Sequence, residues 1–113
     1  MKPSPESDLI RTRHMIDAIS EALNFIVGKN RESLSNDRML TLALLKELEL
    51  IGEAASRLSS EFKEKHSEIP WTLLVATRNR LVHGYFDINL DIVWKTVDGD
   101  LRMLLVMLNS IPK

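Results

Sequence analysis

Apolar residues in the first quarter of the chain fall at Leu9, Ile16, Ile19, Leu23 and Ile26, with Met15, Ala18, Ala22 and Phe25 beside them. Steps of three, four and seven mark one face of a helix, and Gly28 is its expected stop. Met1 to Asp8, polar and carrying two prolines, reads as a flexible tail over 1–8 ahead of a single domain over 9–113. After a polar connection, Ser35 or Asn36 offers a cap for a second helix, in which Leu44, Leu48, Ile51, Ala55, Leu58 and Phe62 recur at steps of four and three to about Lys65. Its stretch Met39 to Leu45 is apolar nearly all round, which calls for burial on several sides or for another chain. Gly52 inside this helix suits the close approach of a neighbouring helix.

Pro70 fits the first turn of a third, short helix whose apolar face continues through Trp71, Leu74, Val75, Leu81 and Val82, with Gly84 as its stop. Asn89 is a cap for a last helix with Leu90, Val93, Val97, Leu101, Leu104, Leu108 and Ile111 on one face, ending near Pro112. No stretch alternates with the period of two that a strand needs. The pattern predicts an all-α protein, an up-and-down bundle of four to five helices without a sheet.

Composition narrows the chemistry. The 113 residues are 44% hydrophobic and 27% charged, as in an ordinary soluble domain, and need no metal or disulfide staple. Fifteen Lys and Arg against sixteen Asp and Glu leave a net charge of -1, so any anionic partner must be met by a local patch. The absence of cysteine excludes disulfide scaffolds, thiolate zinc sites and cysteine nucleophiles, and agrees with a reducing cytosol. Met103 to Leu108, the longest apolar run near the carboxyl end, is far short of the roughly twenty residues that span a bilayer. A cytoplasmic protein with no membrane partner is expected.

One window stands apart. From Ile69 to Phe86 there is no Asp or Glu, yet Arg78, Arg80 and His83 are present. A guanidinium is a permanent fork for phosphate oxygens, and an imidazole moves a proton near neutral pH. Those are the parts needed to cleave a phosphodiester without a metal. An ordinary helix end also favours cations and a glycine, so spacing alone does not separate catalysis from capping. On an α-helix Arg78 and His83 differ by about 140° and share no face, whereas Asn79 and His83, at i and i+4, do. A working site would need the helix to end before His83, or a second copy to supply the complementary groups.

Arg78-Asn79-Arg80-Leu81-Val82-His83-Gly84-Tyr85 resembles the Arg-x4-His-x-Tyr signature of the HepT-like branch of the HEPN superfamily. The likeness extends to Glu49-Leu50-Ile51-Gly52-Glu53-Ala54-Ala55, Ile69-Pro70-Trp71, Tyr85-Phe86-Asp87 and Ile92-Val93-Trp94, in order along most of the chain. It implies a HEPN-type helical fold, a homodimer that sets two motifs face to face, and a ribonuclease toxin of a toxin-antitoxin pair. It further implies metal-independent cleavage in which the RNA 2'-hydroxyl attacks the adjacent phosphate. His83 would then be the general acid or base, Arg78 the phosphate clamp and Asn79 a positioning group. By the same resemblance, Tyr85 is where a minimal nucleotidyltransferase antitoxin attaches AMP. Phosphate carried there would engage Arg78 and compete with RNA. A rival reading makes the chain a non-catalytic adaptor that presents Tyr85 to a nucleotidyltransferase.

Other residues are read as structural. His14 and His66 have no metal-ligand spacing to His83, and Glu47, Glu49 and Glu53 read as a mostly solvated helix face, so neither a metal nor another cofactor is expected. Trp71 and Trp94 read as core. Arg80, inside the acid-free window, is an auxiliary phosphate contact, and Lys95 reads as solvated surface.

Overall fold

The computed structural model describes residues 3–82 and 88–112, with the side chains of 77–82 outside the description. Helix α1 spans Pro5–Phe25, earlier than periodicity suggests. Ser4 accepts a hydrogen bond from the Ser7 backbone N–H at 3.1 Å, and Ser7 Oγ accepts in turn from the Ser4 N–H at 2.8 Å, closing a capping box. Pro5 sits in the first turn, where a missing N–H costs nothing. Ser7 and Asp8 are buried. In place of the tail expected over 1–8, the described part of that segment supplies a helix start and two buried polar side chains. At the far end Gly28 adopts φ +74°, the left-handed conformation of a helix stop, and the Lys29 N–H donates to the Ile26 carbonyl at 2.9 Å.

The single second helix of the sequence pattern is divided into two, and the polar connection ahead of it carries a short helix of its own. Helix α2 (Arg31–Asn36) is capped by Asn30, α3 (Arg38–Ser56) by Asp37 and α4 (Ser60–Lys65) by Ser59. The Asp37 carboxylate, rather than Ser35 or Asn36, accepts from the Leu40 N–H at 3.0 Å. Asp8 reaches across from α1 to accept from the Ser59 N–H at 2.8 Å and the Ser59 hydroxyl at 2.6 Å, which fixes the start of α4.

Helix α5 (Trp71–Val82) follows Pro70 as expected. Asn89 caps α6 (Leu90–Lys95), accepting from the Ile92 N–H at 3.1 Å. A π turn over Thr96–Asp100 joins α6 to α7 (Leu101–Asn109), so these three pieces form one rod. Among the described residues there is no strand, and no helix is long and apolar enough to cross a membrane. The fold is all-α, with α1, α3, α5 and the α6–α7 rod as its long members.

The core lies where α1 packs on α3 and on α7. Met15, Ile19 and Ala22 meet Leu44, Leu48, Ile51 and Ala55, and the rod adds Val93, Val97, Leu101, Leu104 and Leu108. Trp71 is buried and donates its indole N–H to the His66 carbonyl at 3.0 Å, while Trp94 packs partly buried against the core. Several apolar side chains stay outside: Met39 is 80% exposed, Met103 64% and Val106 72%.

Candidate active site

The acid-free window begins on firm ground. Ile69 is buried, the Trp71 N–H donates to its carbonyl at 2.8 Å, and the Leu74 N–H donates to the Pro70 carbonyl at 3.1 Å. Leu74 and Val75 pack against the core, and α5 lies along α3, whose Gly52 is buried. This helix carries the backbone of Arg78, Asn79 and Arg80. Their side chains, together with His83, Gly84 and Tyr85, fall outside the described residues. On the far side Ile88 packs against the core and Asn89 opens α6. The motif thus begins on α5, anchored at its start, and is followed in sequence by α6, anchored by its cap.

The α2 helix supports that second anchor. Arg31 Nε donates to Asp91 Oδ1 in the first turn of α6 and Arg31 Nη1 donates to Ser35 at 3.0 Å. Lys95, at the end of α6, is exposed.

A family model for HepT-like ribonucleases matches residues 15–111. The chain belongs to the HepT-like ribonuclease family. Among curated relatives, an RNase-named protein of Caldanaerobacter subterraneus is 37% identical over 84 residues, covering 74% of this chain and 75% of that one. A probable ribonuclease HepT of Thermococcus cleftensis is 34% identical over 93 residues, with 79% and 84% covered. An RNase-named protein of Methanocaldococcus jannaschii is 31% identical over 86 residues, with 76% and 79% covered. No solved structure matches. For this HepT-like chain, the matched span contains the entire Arg78 to Tyr85 signature together with α5 and α6.

The carboxylates of α3 are sorted differently from the sequence reading. Glu49 approaches Lys46 at 3.9 Å, and Glu53 Oε1 accepts from Arg57 Nε at 2.8 Å and Nη2 at 2.7 Å. Glu47 does not belong to a solvated face: it is 4% exposed, and its Oε2 has no hydrogen-bond partner. Burial pushes the Glu47 carboxyl up to about 7, aided by the neighbouring Glu21 carboxylate of α1. Its position between Leu44, Leu48 and Ile51 on the core-facing stripe was the available signal, but the stripe was traced through apolar residues only. Among the described residues no three His, Asp or Glu side chains converge as a metal would require.

Proposed function

We propose that this HepT-like chain is a metal-independent endoribonuclease toxin acting as a homodimer, in which Arg78 and His83 of the paired motifs act on one RNA phosphodiester. The observation that carries this reading is the intact Arg78-x4-His83-x-Tyr85 signature within the family match over 15–111. The RNA 2'-hydroxyl gives its proton to an imidazole acting as base and attacks the adjacent phosphorus. The 5'-oxygen leaves with a proton from an acid, producing a 2',3'-cyclic phosphate and a 5'-hydroxyl. Arg78 holds the phosphate while its charge develops, Asn79 orients the reacting groups, and Arg80 adds a contact to the RNA backbone.

Control falls to Tyr85. A minimal nucleotidyltransferase antitoxin transfers AMP from ATP to its hydroxyl, releasing pyrophosphate, and the added phosphate occupies the place of RNA beside Arg78. The exposed Met39, Leu42, Met103 and Val106 support a chain that associates with others.

The test uses purified unmodified protein and RNA in EDTA. Cleavage is expected to persist in chelator and to fall by at least about a hundredfold in His83→Ala and Arg78→Ala, the scale of a lost general acid-base or oxyanion group. Cells expressing the chain alone should arrest and be rescued by a nucleotidyltransferase partner. An inert wild-type protein and mutants no less harmful than wild type would overturn the assignment.

A further inference from the structure

The seam between α1 and α3 is charged along one side. Asp8 at the start of α1 holds Ser59, just past the end of α3, so the two helices run antiparallel. At an equal rise per residue this sets Arg11 and His14 level with Glu53 and Arg57, and Asp17 and Glu21 beside the stretch that carries Glu47. These side chains line a groove of about 520 Å³. Its carboxyls, on Asp17, Glu21, Glu47 and Glu53, outnumber the guanidiniums of Arg11 and Arg57, and Arg57 already spans to Glu53 at 2.8 and 2.7 Å. The acidic surplus therefore gathers at the other end, where Glu47 forms the floor. It is 4% exposed, and its buried Oε2 accepts no hydrogen bond from any described residue. A buried carboxylate oxygen without a donor costs free energy that an incoming N–H recovers.

We propose that the acidic end of this groove binds a small aliphatic diamine, one ammonium donating to Glu47 Oε2 on the floor and the other held by Asp17 on the rim. Three features select that chemistry. An ammonium brings three donors with its charge, so one group serves Glu47 and the neighbouring Glu21 together. Among the described residues no three His, Asp or Glu side chains converge as a bare metal ion would require, which favours a cation carrying its own directional donors. Ala18, Leu50 and Ala54 line the same groove and give the methylene chain an apolar surface to lie along. Asp17 stands one helical turn from Glu21, about 6 Å, within reach of a second ammonium on a short chain.

Calorimetric titration of the full chain with 1,4-diaminobutane in low salt at about pH 8, where the Glu47 carboxyl is ionised and His14 neutral, tests the site. One diamine should bind per chain. Its fully N-methylated counterpart keeps the charge but has no N–H, and should bind at least about tenfold more weakly, the scale of a lost hydrogen bond to a charged group. Glu47→Gln should weaken the diamine by the same factor. Asp17→Asn, at an exposed position where folding is not at stake, should weaken it about threefold, the scale of an exposed ion pair, and serves should Glu47→Gln fold poorly. Glu61→Gln, outside the groove, should leave binding unchanged. The proposal is overturned by the absence of saturable binding, by equal affinity for the methylated diamine, by 1-aminobutane binding as tightly as the diamine, or by full affinity in the variants at 47 and 17.

Discussion

Asp8 shows how much one polar side chain organises. It is 2% exposed and accepts both the backbone N–H and the hydroxyl of Ser59, whose own oxygen caps α4 by accepting from the Phe62 N–H at 3.1 Å. Asp8→Ala leaves a buried N–H and a hydroxyl without their acceptor, and should cost about 2 kcal/mol in urea unfolding. Gly28 acts through its backbone: a methyl there meets nothing within 4 Å, yet φ +74° is strained for any L side chain, so Gly28→Ala should cost about 1 kcal/mol. Glu47 makes stability depend on pH. Its folded transition lies near 7 against an ordinary 4.5, so in that window the native state binds more proton than the unfolded chain. Stability is fully present below about pH 4.5, declines as pH rises to about 7 and is flat above, a loss of at most about 3 kcal/mol from this group. Melting of wild type and Glu47→Gln across that range should show the decline in the former and little of it in the latter.

At the scale of elements, the last rod is the clearest case of pattern meeting structure. Val93, Val97, Leu101, Leu104 and Leu108 were legible as one stripe and all are buried. In an unbroken α-helix Val93 and Leu101 would drift apart by about 80°; the wider π turn takes up one residue and brings α7 back onto the stripe. That turn left no mark in hydrophobic spacing, because steps of four are tolerated by either geometry. Asn89 was legible for a firmer reason, a side chain that accepts from the free Ile92 N–H. Asn89→Ala should cost about 1 kcal/mol in urea unfolding and, by fraying the helix that follows the motif, lower RNA cleavage. The break after α3 was hidden because Leu58 and Phe62 keep the beat of Leu44, Leu48 and Ile51 while Ser59 interrupts the backbone. Glu47 was misread since periodicity registers what is apolar, and a buried acid becomes intelligible only with the helix packed against it.

For the molecule as a whole, the spread of exposed apolar side chains matters more than net charge. Leu73 and Met103 border a cavity of about 200 Å³ between α5 and the α6–α7 rod, lined also by Leu48, Ile51, Leu74 and Leu104. With Met39 and Val106 largely exposed, the surface suits association, and sedimentation should report a dimer at micromolar concentration. The order of helices and the family followed from the chain because the signature and its flanking stripes are local. Which charged groups meet across α1 and α3 did not follow, since that pairing joins residues distant in the chain. The capped start of α1 also bears on handling the protein. A version trimmed to begin at Leu9 would discard the bracket that holds α4 in place, and such shortening should yield material prone to aggregation rather than a tidier crystallisation target.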